Sequence, residues 1–217
     1  GLNFAKAKNQ LGTIYQPETI AIFPKFLGTL PDMEWTSGFA EIIKYGLIAD
    51  SDLCLELLDF DLSKIQKEPK KMMTWIAKCI QIKSRIVQED PTDKRVRKTL
   101  NFGHTIGHGL ESSCKIPHGH AVGLGMIIAG YISEREFQID NMIVPIITRL
   151  MNQFQIPTII EWDVSATLNG IRRDKKRENE FIDFIVLNKI GEAAIKQLSL
   201  AKIEDYLHSA KTDRWIS

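Results

Sequence analysis

The chain has 217 residues, 44% hydrophobic and 25% charged, the balance of a globular protein able to bury a core of normal size. Twenty-eight Lys and Arg against 27 Asp and Glu leave a net charge of +1, which excludes a global field for nucleic acid or anionic membrane, so any anion must be bound by a local cluster. Three scattered cysteines, Cys54, Cys79 and Cys114, argue against a disulfide framework or thiolate zinc site and fit a reducing cytoplasm.

Residues 1–31 read as loop, strand, loop, with Thr19-Ile20-Ala21-Ile22-Phe23, flanked by Pro17 and Pro24, as the strand. Pro31-Asp32-Met33-Glu34 puts proline and two acids in the first turn of a helix. That helix is predicted to reach about Ala49, with a possible kink at Gly38. From Glu68 to Gln88, Met72, Trp75, Ile76, Cys79, Ile82 and Ile86 recur at three- and four-residue steps, the period of an amphipathic helix, and Asp90-Pro91 stops it. Further helices are predicted over Gly103–Ser112, Gly119–Glu136, Asp140–Gln153, Ser165–Arg172 and Ser199–Ser209. The longest apolar stretch, Ala121 to Ile132, is broken by Gly123, Gly125 and Gly130 and falls short of the ~20 residues of a membrane span. No secretory signal is visible. Phe181–Leu187 and Ala194–Leu198, joined through Gly191, read as a small hairpin. The fold class is therefore mainly α, with a short N-terminal strand and a small β-hairpin near the C-terminus.

The chemistry concentrates in Asn101-Phe102-Gly103-His104-Thr105-Ile106-Gly107-His108 and Pro117-His118-Gly119. His104 and His108, four residues apart, share a helix face. Either both bind one metal, or one binds metal and the other meets a substrate. His118 can fold back beside them, and Glu41 adds a hard oxygen from the helix before Ala49. Two imidazoles and a carboxylate with open positions describe a catalytic zinc-type site, able to act as a Lewis acid on a substrate oxygen. Taken singly, each has a plainer reading: paired helical histidines are common in cores and on surfaces, and Glu41 is an ordinary solvated helix residue. The glycines beside the histidines, Gly103, Gly107, Gly109 and Gly119, each cost a helix about 1 kcal/mol against alanine. They point to close packing or ligand approach. Lys44, Lys83, Arg97, Lys8 with Asn9, and Asp174-Lys175-Lys176 flank these motifs as anion anchors, arginine being the better carboxylate fork and lysine a point charge for phosphate.

Ser37-Gly38-Phe39-Ala40-Glu41-Ile42-Ile43-Lys44-Tyr45-Gly46, Leu100-Asn101-Phe102-Gly103-His104-Thr105-Ile106-Gly107-His108 and His118-Gly119 with Ala121-Val122 resemble 3-dehydroquinate synthase. So do Lys8-Asn9, Tyr15-Gln16-Pro17, Leu27-Gly28-Thr29-Leu30-Pro31 and Asp174-Lys175-Lys176. The resemblance implies a helical domain of that family and the conversion of 3-deoxy-arabino-heptulosonate 7-phosphate to 3-dehydroquinate and phosphate, with NAD and Zn2+ or Co2+. It implies Glu41, His104 and His118 as metal ligands, and Lys44 and Asn101 on substrate hydroxyls. Lys83 and Arg97 would hold the carboxylate. Asn9, His108 and Lys176 (or Lys175) would hold phosphate, with His108 also an acid/base candidate. Asp93 stands where the family has a glutamate credited with proton transfer. Lys8 and Phe26, Leu27, Gly28 and Thr29 would touch NAD. His120 replaces the usual glutamate of the His-Gly-Glu motif, either competing for metal or facing outward.

The family carries an N-terminal Rossmann-type NAD domain, and no Gly-x-Gly-x-x-Gly occurs here. The expectation is thus an interdomain segment, 1–31, followed by a metal and substrate domain, 32–217, inactive alone and homodimeric and cytoplasmic in the full-length enzyme. A small sugar-acid phosphate is the expected partner, with no nucleic acid and no membrane. The alternatives are another sugar-phosphate cyclase, a metal-dependent polyol dehydrogenase, or a non-catalytic helical module.

Overall fold

The computed structural model describes residues 2–4, 7–13, 15, 17–139, 141–175 and 181–213. The chain divides into two compact units, Gly1–Leu30 and Pro31–Ser217.

In the first unit, β1 (Leu2–Phe4) and β2 (Ala7–Leu11) pair antiparallel, with Phe4 opposite Ala7. A 3-10 helix follows over Pro24–Thr29 and carries Phe26, Leu27, Gly28 and Thr29. The expected strand at Thr19–Phe23 does not form. Its residues are β-prone, but strand propensity is realised only against a partner. Among the described residues no strand pairs with this run, and Ile20, Ile22 and Phe23 are exposed. The N-terminal strands lie earlier in the chain instead. Lys8 and Asn9 belong to the backbone of β2, and their side chains lie outside the described residues.

The second unit is helical. It runs through α1 (Asp32–Ala49), α2 (Ser51–Leu58), α3 (Pro69–Glu89), α4 (His104–Cys114), α5 (His118–Phe137), α6 (Ile143–Gln153) and α7 (Val164–Lys175). The hairpin of β3 (Phe181–Lys189) and β4 (Glu192–Ser199) follows, and then α8 (Leu200–Thr212). The helix α1 is continuous through Gly38. The helix α5 is the centre. It is buried without a break from Ala121 to Glu134, and α1, α4, α6, α8 and β3 pack around it. A helix apolar on all sides belongs in a core, which is why this stretch shows no amphipathic period. Among the described residues no helix is long and apolar enough to cross a membrane.

Local signals explain the other boundaries. Asp50 caps α2, its carboxylate accepting from the Leu53 amide at 2.9 Å, ahead of the buried Leu53, Cys54 and Leu57. This helix is absent from the sequence reading, as are the 3-10 turns at Leu62–Lys67 and Val96–Asn101. The helix α6 starts at Ile143 rather than near residue 140, because the buried Glu134 carboxylate takes the Val144 amide at 2.9 Å and so caps it from α5. Residue 140 itself lies outside the described residues. Trp75 of α3, fully buried, stacks edge-on against Phe60 at 4.8 Å between ring centres and against Phe154 at 6.2 Å. The hairpin pairs Phe181 with Ser199 through Leu187 with Ala193. Its turn holds Gly191 at φ +84°, and the Gly191 amide donates to Leu47 O at 2.8 Å, tying the hairpin to the end of α1.

Candidate metal centre

Three helices converge on one spot because glycine lets them approach. Gly103 stands at φ +77° just ahead of α4, a left-handed backbone that glycine adopts without penalty. A Cβ on Gly125 of α5 would lie 2.1 Å from Gly103 O, and one on Gly119 would lie 2.3 Å from Ser37 Cα of α1. The glycines beside the histidines thus serve helix–helix approach. α5 starts against α1 on one side and runs against α4 on the other.

The result brings Glu41 of α1, His104 of α4 and His118 of α5 together, with one candidate ligand atom from each within 4.8 Å of the others. The His104 Nε2 to Glu41 Oε1 distance is 3.6 Å. The other Glu41 oxygen receives the Lys44 ammonium at 2.6 Å. The three imidazoles of His104, His108 and His118 have ring centres 5.4 to 5.8 Å apart.

The electrostatics suit a cation. Burial works against the Glu41 charge, but Lys44 and the rings of His104 and His118 outweigh it and hold the carboxyl below its ordinary value. Burial pulls the Lys44 ammonium down, against the attraction of Glu41. Burial, then Lys44, push His104 down to about 4 despite Glu41, so the ring is neutral at neutral pH. His104 Nδ1 lies 3.2 Å from Phe102 O. A carbonyl only accepts, so Nδ1 carries the hydrogen and Nε2 keeps its lone pair. An ionised carboxylate and an imidazole presenting a bare nitrogen to it are the donor set a zinc-type ion takes. The residues present therefore fit such an ion.

A second group, His108, Glu111 and His118, also lies within 4.8 Å. There the His118 Nδ1 is 2.9 Å from Glu111 Oε2. Glu111 is absent from the sequence reading, although its place seven residues after His104 and three after His108 puts it on the same face of α4.

The remaining expected site residues divide. Lys83, exposed on α3, comes close enough to Lys44 to lower it further. Arg97, Asn101 and Asp93 stand on the segment leading from α3 to α4. Asp90 organises that segment, its carboxylate accepting from the amides of Lys94, Arg95 and Arg97 at 3.1, 2.6 and 3.2 Å. The Arg97 guanidinium donates to Pro91 O at 2.9 Å. Asn101 is exposed, and Asp93 is exposed at φ +58°. Lys176 and the Lys175 side chain lie outside the described residues. His120 neither faces freely outward nor joins either metal group. It is half-buried with Nε2 2.8 Å from Thr36 Oγ1. That hydroxyl donates its one hydrogen to Met33 O at 2.9 Å, so His120 Nε2 is the donor and links α5 to α1.

The fold is shared with known synthases. The chain superposes on 2-epi-5-epi-valiolone synthase from Streptomyces hygroscopicus, solved with NAD+ and Zn2+ bound, with a TM-score of 0.84 at 21% identity, covering 98% of this chain and 61% of that one. A 2-deoxy-scyllo-inosose synthase matches with a TM-score of 0.75 at 22% identity, over 95% and 59% of the two chains. These likenesses define the class, a dehydroquinate-synthase-like helical fold. The chain belongs to the 3-dehydroquinate synthase C-terminal family, which matches residues 38–177. The 3-dehydroquinate synthase of Streptococcus mutans is 38% identical over 213 residues, and that of Lactococcus lactis 33% identical over 211. In both cases the match covers 95% of this chain but 59% of the relative's length.

Proposed function

We propose that this chain supplies the metal and substrate side of a 3-dehydroquinate synthase, which converts 3-deoxy-arabino-heptulosonate 7-phosphate to 3-dehydroquinate and phosphate. The observation that carries the reading is the convergence of Glu41, His104 and His118 in a chain of this family. The valiolone synthase solved with NAD+ and Zn2+, and a 2-deoxy-scyllo-inosose synthase of the same fold solved with NAD+ and Co2+, support NAD and Zn2+ or Co2+ as the cofactors.

Bound by Glu41, His104 and His118, the metal would supply Lewis acidity to the substrate oxygen being oxidised, and NAD would take and return the hydride. The chain's own residues do the rest. Glu41 keeps its negative charge because Lys44 faces it, and His104 stays neutral because it is buried. Lys44, held 2.6 Å from Glu41, offers its remaining hydrogens to a substrate hydroxyl. His108, whose ring lies beside the other two, would hold the phosphate and move a proton as it leaves. Lys83 and Arg97 bring positive charge from α3 and the segment after it to a substrate carboxylate. Fixing an anion at both ends lowers the entropic barrier to elimination and ring closure. The chain matches 59% of the length of its relatives, so turnover is expected from a protein of full family length and metal binding from this chain alone.

The test is phosphate release by the full-length protein, given NAD and Zn2+ or Co2+. The heptulosonate phosphate should be consumed, while sedoheptulose 7-phosphate and glucose 6-phosphate, which lack the carboxylate, should be poor substrates. The reverse preference would assign the chain to another sugar-phosphate cyclase. Absence of bound metal in the wild type, with nothing lost in His104→Ala, would leave a non-catalytic module.

A further inference from the structure

We propose that Glu111 is a positioning residue for the metal centre, which holds His118 in the tautomer and orientation that a metal ligand needs. This rests on the reading of Glu41, His104 and His118 as the ligand set. It adds a residue to which neither the sequence motifs nor the fold assign a role.

His118 is the least constrained of the three. Its side chain is 45% exposed, against 15% for His104. It opens α5, with Pro117 before it and Gly119, which has no side chain to brace it, after it. His104 has the Phe102 carbonyl to fix its ring. For His118 the corresponding partner is Glu111 Oε2, 2.9 Å from Nδ1. A carboxylate accepts and does not donate, so a hydrogen sits on Nδ1, and in the neutral ring that an ion requires the lone pair is then on Nε2. A free imidazole in water favours the other neutral tautomer, with the hydrogen on Nε2. Glu111 therefore reverses the default and also pins the ring plane.

The location supports the role. Glu111 lies on α4, one helical turn beyond His108 and two beyond His104, while His118 lies on α5. The bond crosses the α4–α5 pair that the glycines bring together. Glu111 is only 24% exposed, which strengthens a charge-assisted bond. The two histidines are thus held alike, each donating Nδ1–H to an oxygen outside the ligand set and each leaving Nε2 for metal. Partners of this kind, one bond removed from the ion, typically change metal affinity by about 10- to 100-fold when removed.

The experiment measures Co2+ affinity by titration of the metal alone, followed through its visible absorption, in wild type, Glu111→Ala and Glu111→Gln. It also records the imidazole nitrogen-15 signals of His118 in the metal-free protein. The wild type should show His118 protonated at Nδ1. Glu111→Ala should bind Co2+ about 10- to 100-fold more weakly, and its His118 should shift toward the Nε2–H form. Glu111→Gln, whose carbonyl oxygen can still accept, should recover both the tautomer and part of the affinity. Wild-type affinity and tautomer in Glu111→Ala would overturn the inference, as would equal weakening in both variants with the tautomer unmoved. A wild type that binds no Co2+ while its His118 is held at Nδ1–H would sink the metal-centre reading itself, and would leave the Glu111–His118 bond a structural one.

Discussion

Gly119→Ala is the perturbation that most directly separates packing from chemistry. The added methyl would sit 2.3 Å from Ser37 Cα, 2.6 Å from Ser37 Cβ and 2.8 Å from Ser37 O, whereas ordinary contact begins at 3.4 Å. Two of these atoms are backbone, so neither can swing away. The start of α5 must retreat from α1 by about 1.1 Å. Overpacking of this kind costs about 1–3 kcal/mol, offset by up to about 1 kcal/mol of helix propensity, so the loss of stability should be modest, about 1–2 kcal/mol. The effect on the site should be larger. His118 is the neighbouring residue, and 1.1 Å is about half a Zn–N bond of about 2.0 Å. An affinity loss on the order of 100-fold is expected, or about 2.8 kcal/mol. The assay pairs thermal melting with Co2+ titration. Gly130→Ala serves as the control, because its methyl would meet the movable tip of Ile147 at 2.8 Å, far along α5, and should lower stability while leaving affinity intact. A Gly119→Ala protein with wild-type affinity, or a Gly130→Ala protein equally impaired, would refute the argument that α1–α5 contact sets the ligand geometry.

Glu136 makes a pH prediction. Burial opposes its charge, but hydrogen bonds from Lys196, Lys202 and Tyr206 prevail and hold the carboxyl at about 2. A depressed carboxyl stabilises fully above its unfolded value, about 4.5, and loses that contribution as pH falls toward 2. Up to about 3 kcal/mol is at stake. Urea unfolding from pH 7 to pH 2.5 should show a shallower acid limb in Glu136→Gln than in wild type, and parallel limbs would contradict it. Trp75→Ala, at a fully buried position, should cost about 3–5 kcal/mol by the same measurement, whereas a loss under 1 kcal/mol would mean the aromatic cluster is not part of the core. In the full-length enzyme, Lys83→Ala and Arg97→Ala should raise KM for the carboxylated substrate at least 10-fold without changing Co2+ affinity. An unchanged KM would remove them from the carboxylate site.

Much of the helical framework was legible because helices are written locally. The three- and four-residue recurrence of Met72, Trp75, Ile82 and Ile86, and the acids after Pro31, act within one or two turns. The helices they mark, α3 and α1, lie within a residue or two of the expected bounds. The short helix at Ser51–Leu58 escaped because its cap and its apolar face occupy only two turns. The N-terminal strand went astray for the opposite reason. Thr19–Phe23 has strand propensity, but pairing is a long-range event that its residues cannot specify alone. At the candidate site, the spacing of His104, His108 and Glu111 on one helix face is legible in the sequence, though nothing in that spacing marks Glu111 as the partner of His118.

Sequence by itself therefore determined the helical class, the histidine face of α4 and the chemical types available for a metal. Tertiary structure brings Glu41 and His118, which the motif resemblance implies as ligands, to that face, and it alone decided that Lys44 neutralises the far oxygen of Glu41 and that Phe102 O and Glu111 meet the ring nitrogens. The reason is physical. A helix face follows from the backbone's own period, whereas convergence of three helices depends on how closely their surfaces fit, and here glycine positions such as Gly119 and Gly125 control that fit only once the partner backbones are in place.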